Sequence, residues 1–153
     1  MLKRYLFFVI SFFSFSLAAN QVLVSDFTVR EFIPGAPSSV GYLKITNHSD
    51  KELVLSSVSL DKLGRVEIHN HIQKNGMMSM VKLDKLAIDM HSTKVFQSGG
   101  LHLMLFSPKA KLIKGETINA KFHFASGLTV DAKATVVGIN ESIENEHQHH
   151  HHH

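Results

Sequence analysis

The chain has 153 residues, 16 Lys and Arg against 13 Asp and Glu, and no cysteine. The last fact excludes a disulfide framework and thiolate sites for zinc or iron–sulfur clusters. Near-balanced charge without a basic patch interleaved with aromatics gives nucleic-acid binding no support.

Residues 1–18 read as a secretory signal peptide. Lys3 and Arg4 form a basic start, an apolar run follows from Tyr5 to Leu17, and Ser16-Leu17-Ala18 offers small residues for cleavage after Ala18 or Ala19. The rival reading is a transmembrane anchor, but the run is shorter than the roughly 20 residues that span a bilayer. No Cys follows to carry a lipid, so no lipoprotein anchor and no membrane span are expected after cleavage. Cleavage after Ala19 leaves 134 of the 153 residues, enough for one domain with its own core. Without Lys3 and Arg4 the charges stand at 14 against 13.

The predicted domain, residues 20–138, is a series of short β-prone runs. Gln21–Phe32 alternates loosely and is broken by Pro34-Gly35-Ala36-Pro37. Ser39–Asn47 and Glu52–Ser59 flank a polar turn at Asn47-His48-Ser49-Asp50. Val66–Ile72 and Met78–Leu83 flank Gln73-Lys74-Asn75-Gly76, a hairpin signal. Lys94–Phe96, Leu101–Ser107, Thr117–Phe124 and Leu128–Val137 complete the series, with Gly-containing turns between them. No segment has sustained helical periodicity, so the pattern predicts an all-β fold, a single-domain antiparallel sandwich or barrel. Residues 139–153 form a polar linker and a tail of His147, His149, His150, His151, His152 and His153. The tail reads either as a purification tag or as a native imidazole-rich arm able to gather Cu(II), Ni(II) or Zn(II).

Four soft donors stand at fixed spacing: His69, ten residues, Met80, twenty-one residues, then His102, one residue, Met104. Thioether sulfur binds monovalent copper well and zinc, magnesium or calcium poorly, so Cu(I) is the ion this set would suit. Residues two apart on a strand share a face. His69 with His71, Met78 with Met80, and His102 with Met104 are three such pairs, and the Leu residues around His102 alternate with them. A four-residue hairpin loop would set His69 opposite Met80, whereas a two-residue turn at Asn75-Gly76 would set His71 opposite Met80. Either register keeps the His and Met side chains on one face. Arrival of the His102 strand beside this hairpin does not follow from the sequence. Met90, His48, His91 and His123 lack such pairing and are expected to be ordinary packing or surface residues, and Met77 points to the opposite face from Met78.

At these residues the chain resembles the PCu(A)C family of copper chaperones. The resemblance covers the four spaced donors, Val66-Glu67-Ile68-His69, Gly76-Met77-Met78-Ser79-Met80, Gly99-Gly100-Leu101-His102-Leu103-Met104-Leu105 and Lys114-Gly115-Glu116-Thr117, and spans about Gln21 to Val137. It implies a cupredoxin-like β-sandwich with an exposed Cu(I) site of two His and two Met. It also implies periplasmic carriage of copper to an acceptor such as an oxidase subunit or a Sco-type thiol protein, in cytochrome oxidase assembly. Some members carry a His/Met-rich tail for Cu(II). His71 stands where many members have Met, which makes His71 and Met78 auxiliary ligands in this reading. A copper oxidase lacks support, since no acid/base constellation accompanies the donors. Copper storage or detoxification, and a structural β-domain without metal, are the remaining alternatives.

Overall fold

The computed structural model describes residues 21–140 apart from Asn75. The expectations for the signal peptide and the His tail lie outside the described residues. Ten strands follow in chain order: β1 (Val22–Arg30), β2 (Ser38–Asn47), β3 (Leu53–Leu60), β4 (Leu63–Lys74), β5 (Met77–Leu83), β6 (Leu86–Ile88), β7 (Ser92–Phe96), β8 (His102–Pro108), β9 (Thr117–Phe124) and β10 (Thr129–Val137). The all-β expectation holds, with no helix among the described residues. β6 escapes a sequence reading because three residues are too few to show a period.

The hydrogen-bonded order is β5-β4-β8-β2-β1-β10-β9-β3-β6, with β7 also paired to β2. The sheet turns over on itself because two strands change partners along their length. β2 pairs β8 through Ser38–Gly41 and β7 through Leu43–Asn47. β1 pairs β2, and its register shifts between Ser25 and Thr28, where Asp26 takes a positive φ of 51°. Beyond that bulge, Thr28–Arg30 pair β10 in parallel, the one departure from antiparallel pairing among the named strands. The shift fits the general role of bulges in bending a strand and ending its pairing.

The two layers share one apolar core, including Val29, Leu43, Ile45, Leu55, Ile88, Leu103, Leu105, Phe122 and Val136. Phe27 meets Phe122 edge to face at 5.7 Å, a preferred aromatic geometry. Strand alternation supplies this core directly, since β2 and β9 bury every second residue. One buried polar residue closes an end of the sandwich. The Nδ2 of Asn47 donates to the carbonyls of Lys51, Ile88 and Asp89 at 2.7, 3.1 and 3.1 Å, tying β2 to β6. No helix among the described residues is long and apolar enough to cross a membrane.

Candidate metal centre

The site lies on the outer face of three neighbouring strands, β5, β4 and β8, at one edge of the sheet. Their inner face anchors it, because Ile68, Leu103 and Leu105 are buried in the core. On each strand the residues between these point the other way. The β4–β8 ladder sets His69 opposite His102 and Glu67 opposite Met104. The β4–β5 ladder sets His71 opposite Met80, His69 opposite Lys82 and Gln73 opposite Met78. The hairpin therefore uses the two-residue turn, with Gly76 at a φ of 79° that costs glycine little. Directly opposed residues share a face, so His69, His71, Met80, His102, Met104 and Glu67 all project from one surface.

Three imidazoles come together there. The ring of His102 lies 5.0 Å from that of His71, nearly parallel to it, and 5.8 Å from that of His69. His102 is only 4% exposed, whereas Met80 at the sheet edge is 49% exposed. This face thus has a buried floor at His102 and an open rim at Met80. Among the described residues no three His, Cys, Asp or Glu side chains already sit in ligating positions. A site built on this face therefore has to draw on the thioethers or close the imidazoles inward.

Hydrogen bonds decide which ring nitrogens are free. A carbonyl can only accept, so Nδ1–H of His102 donates to the Gly100 carbonyl at 3.0 Å and leaves the lone pair on Nε2. Burial pushes the pKa of His102 below its usual value, the Gly100 bond opposes this, and the neighbouring His71 and His69 lower it further. The ring is accordingly neutral at neutral pH, the state that can ligate a metal. His69 is held from the other end. Its Nε2–H donates to the carboxylate of Glu67 at 2.9 Å. That bond, opposed by burial and supported by Lys82 and Arg65, holds the Glu67 carboxyl below the usual carboxylate range. Lys82 and Arg65 stand 3.4 and 3.5 Å from Glu67, and Arg65 also caps the ring of Phe106 at 4.3 Å.

With Nε2 tied to Glu67, the lone pair of neutral His69 falls on Nδ1, which is buried and has no hydrogen-bond partner. The Nδ1 of His71 is buried and unpartnered as well. Buried polar atoms without partners are rare and costly, and a bound ion is one way to satisfy such a nitrogen. A ligating imidazole whose second nitrogen is fixed by a carboxylate or a carbonyl is the usual arrangement around protein-bound metals. The donor chemistry here fits a soft or borderline ion.

Of the predicted residues, the structure clusters the rings of His69, His71 and His102, and sets Met80 and Met104 on the same face. Met78 lies on this face too, opposite Gln73 towards the hairpin tip and largely exposed. His91 is bonded to Asp50 at 2.8 Å, and His123 contacts Thr129 at 3.4 Å. Both keep the surface role expected of them. Glu67 is the functional candidate that sequence reading passed over. Its signal was present, because it sits two residues before His69 on the same face.

Fold and face together describe a β-sandwich that presents imidazole and thioether donors at its edge. The sequence profile of the LpqE-like lipoprotein family matches residues 22–136, and the chain belongs to that family. No curated protein matches it. Among solved structures, Cu(I)-DR1885 from Deinococcus radiodurans is 26% identical over 82% of this chain and 84% of that one, with a TM-score of 0.66. The apo PCuAC domain of PmoF2 is 18% identical over 81% of this chain and 95% of that one, with a TM-score of 0.66. The copper-bound form of that domain is 17% identical over 79% and 96%, at 0.65. At those identities the two PmoF2 structures share the fold.

Proposed function

We propose that this chain is a periplasmic copper carrier, which binds Cu(I) through His69, Met80, His102 and Met104 and yields it to an acceptor protein. The observation that carries this reading is the buried, unpartnered Nδ1 of His69, on the same sheet face as His102 and both thioethers. The similarity to Cu(I)-bound DR1885, and membership of a lipoprotein family, support the cargo and a place outside the cytoplasm. Residues 1–18 act as the export signal, residues 20–138 as the carrier domain, and the His tail as a separate gatherer of Cu(II).

Neutral donors suit a carrier. Two imidazoles and two thioethers leave the Cu(I) site positively charged, whereas thiolates would neutralise the ion and hold it harder. A thiol-bearing acceptor, such as a Sco-type protein or an oxidase subunit during cytochrome oxidase assembly, can then take copper by ligand exchange at the open Met80 rim. Delivery is favoured over storage because the face opens to solvent at Met80. Anaerobic competition against a chromophoric Cu(I) chelator tests the assignment. Replacing Met80 and Met104 together by Leu is expected to weaken Cu(I) binding at least about tenfold, since loss of even an outer-shell partner costs that much. Unchanged affinity in the double variant would show that copper, if bound, sits elsewhere.

A further inference from the structure

Strand β5 carries three thioethers close together, Met77, Met78 and Met80, and all of them lie open to solvent. The proposed four-donor set calls on Met80 alone. Met77 and Met78 are exposed to 71% and 62%, against 49% for Met80. β5 ends the hydrogen-bonded order and pairs with β4, so Met80 has a ladder neighbour on one side, His71, and solvent on the other. Met104 stands differently. β8 lies between β4 and β2, and Met104 has Glu67 across one ladder and Val40 across the other. It is accordingly partly buried. The two thioethers assigned to one ion therefore differ in what reaches them from solvent.

The sulfur lone pair that would bind Cu(I) is also the one that reacts with peroxide. It attacks one peroxide oxygen, the O–O bond breaks, that oxygen stays on sulfur as the sulfoxide, and the other leaves as water. Sulfur gives up an electron pair and peroxide accepts it. The product is a polar group that has lost the soft thioether donor. We propose that Met80 is a modification site: peroxide converts it to the sulfoxide ahead of Met104 and so withdraws one donor from the Cu(I) set, whereas a soft ion on its sulfur protects it. The proposal rests on the four-donor reading for its consequence, and on the edge position of Met80 for its selectivity. Because Met80 lies outside the core, the added oxygen leaves the packing intact. The change reverses when methionine sulfoxide reductases restore the thioether. The carrier thus loosens its hold on copper under peroxide and regains it afterwards.

The test uses the full-length chain with Met77, Met78 and Met90 replaced by Leu, which leaves Met80 and Met104 as the thioethers of residues 20–138. Cu(I) affinity is first measured by anaerobic chelator competition. The apo chain is then treated with hydrogen peroxide, the excess is removed, oxidised peptides are mapped by mass spectrometry, and the affinity is read again. Sulfoxide is expected at Met80 several-fold faster than at Met104. Cu(I) affinity should fall at least about tenfold, since loss of even an outer-shell partner costs that much. The unfolding midpoint should hold, and reductases for both sulfoxide epimers should restore the affinity. In the unsubstituted chain, Ag(I) stands in for Cu(I) without its reaction with peroxide. It should shield Met80 and leave Met90, exposed in the turn after β6, to oxidise. Equal rates at Met80 and Met104 would overturn the inference and leave the four-donor reading standing, and so would shielding of both Met80 and Met90 by Ag(I). A Met80 sulfoxide with Cu(I) affinity unchanged would overturn it as well, and the Met80→Leu, Met104→Leu variant then shows whether the donor set falls with it. A chain that binds no Cu(I) before treatment would overturn both.

Discussion

β9 and β5 are strands of eight and seven residues with similar apolar content and opposite fates. β9 lies between β10 and β3, and its Ile118, Ala120, Phe122 and Phe124 alternate into the core. β5 forms the edge beside β4, and Met77, Met78, Met80 and Val81 are all exposed. Burial explains the composition of β9 completely. It does not explain β5, because an exposed apolar edge strand invites unwanted pairing unless something else requires it. The proposed ligation by Met80, on the face shared with the imidazoles, would supply that requirement for one face of the strand. Similar apolar residues are thus buried in one strand and exposed beside imidazoles in another, and only the partner across the ladder tells them apart.

The comparison breaks most visibly at Phe122. Phe122→Ala removes a fully buried ring and its contact with Phe27, and is expected to cost about 3–5 kcal/mol in denaturant unfolding. Copper affinity of the fraction that stays folded should not change. Met80→Leu with Met104→Leu should do the reverse. Loss of Cu(I) binding is expected alongside a stability change below about 1.5 kcal/mol, because Leu and Met have similar volumes. A larger loss of stability would mean that the thioethers are packing residues after all.

A finer distinction comes from Glu67→Gln, which preserves shape but removes the charge that orders His69. Cu(I) affinity measured by chelator competition is expected to fall about 10- to 100-fold, as for other outer-shell partners. An unchanged value would assign Glu67 to surface pairing with Lys82 and Arg65 alone. The smallest effect concerns the foot of β9. There Lys62 bonds the carboxylate of Glu116 at 2.6 Å and, with the Ile113 backbone, holds its pKa below the ordinary value. A carboxyl with a depressed pKa in the folded state adds stability above its unfolded pKa and loses it as pH falls through the folded value. Lys62→Gln should therefore lower the unfolding midpoint slightly at pH 7, with the gap closing under acid. A gap independent of pH would deny the pair that role.

Legibility in the sequence followed the range of the interactions. β9 is found at Thr117–Phe124, the bounds its alternation predicts, because a local period sufficed. The His/Met face was legible by parity, which holds in either hairpin register. The register itself was open, and the pairing of His71 with Met80 and Lys74 with Met77 settles it. The docking of β8 on β4 was not legible, since it joins segments more than thirty residues apart with no local signal. The parallel pairing of β1 with β10 was hidden for the same reason, as it depends on the bulge near Asp26. Glu67 shares the face of His69 by parity, but its bond to that imidazole appears only in the folded chain.

X-ray absorption at the copper edge, on the full-length chain loaded anaerobically with one equivalent of Cu(I), tests the central claim most directly. Scattering from two sulfur and two imidazole nitrogen neighbours is the predicted result. A shell of nitrogen alone would contradict it.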